Sequence, residues 1–206
     1  ATATNNPSMF TFDNQATSGS GWASVANTNA TNLIAGTGYR VLIRGNRSVD
    51  LTAPSADAMN AAVTLSATGT LRTGSITLDS SSSPSINNTN YNAGFSLVGN
   101  PYQSPIDWNA VIKSGIDATY YAWDPNMGTT SQRGRYVVYN GATNDNNLSQ
   151  VGQFIQPGQA FFVKNTVTGT AGTLTFQEAH KATTSANVFR TVATPTLAVA
   201  LYDPNE

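Results

Sequence analysis

Two aspartates stand beside tryptophans in this chain, in Asp107-Trp108 and in Trp123-Asp124. An acid next to an indole suits a sugar cleft, where the ring carries a pyranose and paired carboxyls act as acid and base or nucleophile. Each also has a simpler local task. Asp107 suits the cap of a helix, and Asp124 suits the start of the turn Asp124-Pro125-Asn126, bonding its own backbone. The single histidine, His180, follows Phe176-Gln177-Glu178-Ala179. A Ser-His-Asp triad needs such a residue, but the chain holds no Gly-x-Ser-x-Gly elbow. A lone histidine at a strand end is ordinarily structural. The expectation is a protein that is not an enzyme and has no catalytic residues.

Metal and cofactor chemistry find little more. There are no cysteines, which removes disulfides, thiolate metal sites and a cysteine nucleophile together. One histidine cannot build a zinc site alone. Asn144-Asp145-Asn146-Asn147 offers oxygens suited to calcium, without the spacing, glycine and closing glutamate of an EF-hand. No metal and no cofactor is expected. The four Asn-x-Ser/Thr sequons, at Asn29, Asn46, Asn87 and Asn147, are what chance supplies in so Asn- and Thr-rich a chain.

Binding through aromatics is the more serious chemistry. Trp22, Trp108, Trp123 and the tyrosines Tyr91, Tyr102, Tyr120, Tyr121 and Tyr136 could each stack on a sugar ring. Trp108 and Trp123 sit beside the apolar residues of their segments, so both are expected in the core. Trp22, in Gly19-Ser20-Gly21-Trp22, is the most loop-like and the one candidate ligand-binding residue. Nucleic acid is not expected: the net charge is −1 and ten basic residues are scattered. Their only cluster, Arg40, Arg44 and Arg47, fits the outward side of a strand. No apolar run reaches the ~18–20 residues of a membrane span, so no membrane insertion is expected.

The elements that must position these residues are mostly short strands. A chain of 206 residues can bury a full core. Charged residues are only 10% of it, while Ser, Thr and Asn make up about a third. Such surfaces hold water through neutral groups and are typical of extracellular bacterial modules. Alternating apolar segments run through Tyr39–Gly45, Ala62–Leu78 (two strands and a turn), Gly94–Gly99, Thr119–Trp123, Gly134–Asn140, Gln159–Asn165 and Gly172–Glu178. Asn187–Val192 and Thr196–Tyr202 read the same way, the last able to pair with a neighbour's open edge. One helix is expected over Ser104–Gly115, capped by Ser104 or Asp107 and stopped at Gly115, and a turn of another over Ser55–Ala62. Leu78–Asn92 and Asn140–Gln150 read as long polar loops. The fold class is therefore mostly β, an antiparallel β-sandwich or jelly-roll-like domain with one or two short helices. A single domain over 1–206 is expected, with a possible subdivision near residue 90.

The order of blocks carries a resemblance. "GTGYRVLIRGNRS", "TLSATGTLRTGSITL", "GFSLVGNPYQSPIDWNAV", "YYAWDPN", "RGRYVVYNG", "IQPGQAFFVKN" and "LTFQEAHK" follow one another. Over Gly36 to Lys181 this resembles a β-rich module of large, adhesin-like secreted surface proteins of Bacteroidetes, which lies upstream of a C-terminal sorting domain used in type IX secretion. The resemblance implies an exported module at the bacterial cell surface or outside the cell, with neighbouring domains or copies of itself as partners, and no catalytic residues. The chain is expected to be a mature product or an excerpt of something larger, and no sorting domain is recognised in it. The functional expectation is a non-catalytic structural or adhesive module, able to self-assemble into an appendage or filament. The alternative is a carbohydrate-binding module reading surface polysaccharide through exposed aromatics, and behind it a glycan-active hydrolase.

Overall fold

A computed structural model describes residues 7–28, 30–43, 66–86, 94–127, 134–145, 148–167 and 169–186. Among them lie twelve short strands and one 3-10 turn, Glu178–His180, and no α-helix. The strands are β1 (Met9–Phe12), β2 (Trp22–Ser24), β3 (Arg40–Val41), β4 (Ile76–Leu78), β5 (Phe95–Gly99) and β6 (Ile106–Asp107). They continue as β7 (Ile112–Ser114), β8 (Ile116–Asp124), β9 (Arg135–Tyr139), β10 (Phe154–Ile155), β11 (Ala160–Asn165) and β12 (Thr173–Phe176).

Every pairing between these strands is antiparallel, in sheets ordered β5-β11-β8-β9, β4-β12-β7, β2-β1-β3 and β10-β6. None closes into a barrel. The protein is a mostly β, sandwich-like fold. Alternation decides which side chains go inside. On β8, Tyr120, Ala122 and Asp124 are buried, whereas Tyr121 is half-buried and Trp123 exposed; on β11, Phe161 and Val163 are buried and Phe162 is not. The inward residues of this sheet join Leu78, Leu174 and Phe176 of the β4-β12-β7 sheet in one hydrophobic cluster, with Trp108 and Ile155. Each large side chain so buried contributes about 1.5–3 kcal/mol of transfer free energy. No helix among the described residues is long and apolar enough to cross a membrane.

The expected helix over 104–115 does not form. Asp107 does accept at one turn: its carboxylate takes the N–H of Asn109 at 2.9 Å, and its carbonyl takes the N–H of Ala110 at 3.1 Å. The chain then leaves helical geometry, because Ile112–Ser114 pairs with β12, Lys113 lying opposite Leu174. Trp108 and Val111 are buried, and a turn places residues three apart as a helix does, so the spacing did not separate the two. Ile112, the third apolar position, is exposed. Of the expected strand over Tyr39–Gly45, only Arg40–Val41 forms among the described residues, and Val41, Leu42 and Ile43 are all exposed. In 62–78 only β4 forms among the described residues. The expectations for Ser55–Ala62, Asn187–Val192, Thr196–Tyr202, Tyr91, Arg44 and Arg47 fall outside the described residues, as do the sequons Asn29, Asn46, Asn87 and Asn147.

The corner after β5 is organised by one side chain. Asn100 accepts from the Tyr102 N–H at 3.0 Å and donates to the carbonyls of Ser104 (2.8 Å) and Ile155 (3.1 Å). This swings Tyr102 into full burial, its hydroxyl donating to the Gly74 carbonyl at 2.6 Å. The corner therefore joins strand to strand, fixing β6 against β10. The described part of the polar loop after β4, up to Ile86, is likewise pinned: the Asp79 carboxylate accepts from the N–H groups of Ser81 and Ser82, and Ile86 is fully buried.

Candidate functional site

The residues singled out for acid-base chemistry are each taken up by hydrogen bonds. Asp124 is buried at the end of β8, where one carboxylate oxygen accepts from the Asn126 N–H at 2.8 Å and the other from the Ser149 hydroxyl at 2.6 Å. Ser149 in turn accepts from the Val151 N–H at 3.0 Å, so the acid holds the 149–151 loop onto the sheet. The second oxygen of Asp107 accepts from Gln153 Nε2 at 3.0 Å. His180 is buried, and its Nδ1 accepts the Gln177 N–H at 3.1 Å, closing the 3-10 turn. Burial holds His180 below the usual histidine range, helped by the Lys113 cation and opposed by Asp107.

Lys113 carries no signal in the sequence. Its ammonium lies 4.3 Å from the centroid of the Trp108 ring and donates to the carbonyls of Trp108 and Val111. Burial pulls its pKa down to about 8, with Asp107 pulling the other way. A lysine that spends its protons on backbone carbonyls closes a turn, and nothing in that bonding presents a nucleophile. In the Asn144–Asn147 stretch, the carboxylate of Asp145 accepts from the Val138 N–H at 3.0 Å and pairs with Arg135 at 3.4 Å. Its oxygens guard the edge of β9. No cluster of three metal-ligating side chains occurs among the described residues.

What remains is aromatic. The outward face of the β5-β11-β8-β9 sheet carries Phe95, Phe162, Tyr121, Trp123 and Tyr136, placed there by period-two alternation and in register across the strands. They meet edge to face: Phe95 with Tyr121 at 5.3 Å, Phe162 with Tyr136 at 5.8 Å and Trp123 with Tyr136 at 5.2 Å. The small β2-β1-β3 sheet packs on part of this face, Phe12 lying 4.9 Å and Trp22 6.0 Å from Phe162. Arg40 crosses this layer, its guanidinium over the rings of Trp22 (4.1 Å) and Phe10 (4.8 Å). Burial raises the Tyr136 hydroxyl's pKa, with Arg40 countering it.

The exposures of the tryptophans reverse the sequence expectation in part. Trp108 is in the core as expected, its indole N–H donating to the Ala118 carbonyl at 2.6 Å. Trp22 is half-buried in β2 with a guanidinium on its ring, whereas Trp123 is 47% exposed and Tyr136 43%. The signal was available: Trp123 lies an odd number of residues from Tyr120, so a strand that buries one exposes the other. These observations define an antiparallel, sandwich-like β domain with an aromatic strip on one outer face. The model of a family described as a domain of unknown function (DUF8693) matches residues 1–198, and the chain belongs to that family. No curated protein and no solved structure matches the chain.

Proposed function

We propose that the chain is a non-catalytic structural or adhesive module of a larger exported protein, standing at the bacterial cell surface or outside the cell. It packs against copies of itself through the uncovered end of the aromatic strip. The observation that carries this reading is the Trp123–Tyr136 pair, two large exposed rings at the end of a strip that β1 and β2 cover in part. Large exposed aromatics are the side chains that anchor protein interfaces. Val41, Leu42 and Ile43, next in sequence to the Arg40 that stacks on Trp22, are exposed as well. A net charge of −1 leaves little repulsion between copies.

The absence of catalysis is supported by the bonding of Asp107, Asp124 and His180 described above. Export is supported by the neutral Ser/Thr/Asn surface and by the resemblance to modules of type IX secretion substrates. Antibody labelling of intact source cells tests the location. Labelling before permeabilisation is expected; labelling only after lysis overturns it.

A further inference from the structure

A second feature lies at the other edge of the four-stranded sheet, away from Trp123. Between β1, β5 and the 83–85 turn is a cavity of about 230 Å3. Its floor is polar and buried: Asn14 donates to the Ser96 hydroxyl and to the Ser85 carbonyl, both at 2.7 Å. Thr37, whose hydroxyl donates to the Ser83 carbonyl at 3.0 Å, forms one wall, and Gln15 reaches the Ser85 hydroxyl at 3.4 Å across another. Phe12, Pro84 and Leu97 supply the apolar part of the lining, and Asp13 is its one charged residue.

We propose that this cavity holds one neutral pyranose residue of a glycan. Hydroxyls and side-chain amides beside a small apolar lining match a ring that carries hydroxyls at its rim and C–H groups on its face. An apolar ligand would displace water from these polar walls without replacing its hydrogen bonds. An anion would meet Asp13 and no cation. The volume is below the ~300–1,000 Å3 common for larger ligands, so it suits one sugar unit. The proposal stands apart from the contact at Trp123 and Tyr136, since the two sites share neither of those residues.

Titration of the protein with methyl glucoside, methyl galactoside and methyl mannoside, followed by amide chemical shifts, tests it, with glucuronate as the charged comparison. At least one neutral pyranoside is expected to saturate, moving the amides of Gln15 and Thr37. Gln15→Ala combined with Thr37→Val is expected to weaken it about fivefold or more, the loss of one or two hydrogen bonds. Gln15 is exposed, so Gln15→Ala alone serves as the fold-neutral variant. Glucuronate is expected to bind more weakly, and Trp123→Ser to change nothing. Saturation by none of the three, unchanged affinity in both folded variants, glucuronate binding as well as the neutral sugars, or loss of binding in Trp123→Ser overturns the proposal.

Discussion

The indole of Trp123 lies against the bare backbone of Gly134, so close that a Cβ on Gly134 would stand 2.6 Å from its Cε2 and 2.7 Å from its Cζ2 and Nε1. Gly134 also has φ of 98°, a conformation that side chains with a Cβ rarely adopt. The glycine thus sets how the most exposed tryptophan sits on the sheet. Gly134→Ala is expected to lower stability by about 2 kcal/mol or more, combining backbone strain with displacement of the ring. In Trp123→Ser the clash is gone, so the same alanine should cost less there. A double-mutant cycle by urea denaturation measures the difference, and full additivity would count against the contact.

Asn100 serves three backbone groups at once. Asn100→Ala leaves the Tyr102 N–H and two carbonyls to find new partners, at an expected cost of about 2–3 kcal/mol. Asn100→Asp keeps the acceptor for Tyr102 but turns a carboxylate oxygen onto two carbonyl oxygens in a buried corner, so it should cost at least as much as Asn100→Ala. Thermal unfolding of the two variants gives the order.

Much of this architecture was legible in the residues. β5, β8, β9, β11 and β12 each show the alternation from which a strand is read. Local pattern failed at Trp108–Ser114, because a single Asp107-capped turn and a helix share the same first residues, and the decision falls to pairing with β12, far off in sequence. The exposure of Trp123 followed from period two, but its apolar neighbours suggested burial instead. Neither Lys113 nor the cavity beside Asn14 had a sequence signal. The lysine's carbonyl partners are fixed by the turn, and the cavity's walls come from stretches that only the sheet pairing brings together.

His180 makes stability depend on acid. Its Nδ1 accepts a backbone N–H and so must be unprotonated in the fold, and burial holds its pKa below 6.5. In the unfolded chain the imidazole takes up a proton first, so stability is full above about pH 6.5 and is lost as pH falls through the lowered folded value. His180→Gln should flatten the dependence between pH 7 and 5 while lowering the plateau. Equal slopes in the two proteins, by denaturant midpoint against pH, would show that another group is responsible.

Sedimentation velocity across a range of protein concentrations tests the sheet-face contact most directly, comparing the wild-type chain with Trp123→Ser/Tyr136→Ser. Both rings are exposed, so the variant should stay folded. The wild type is expected to sediment faster as concentration rises, and the variant to remain a monomer, since truncating aromatic anchors costs an interface about 2 kcal/mol or more each. A wild type that stays monomeric throughout, or a variant that associates as well as the wild type, would contradict the account.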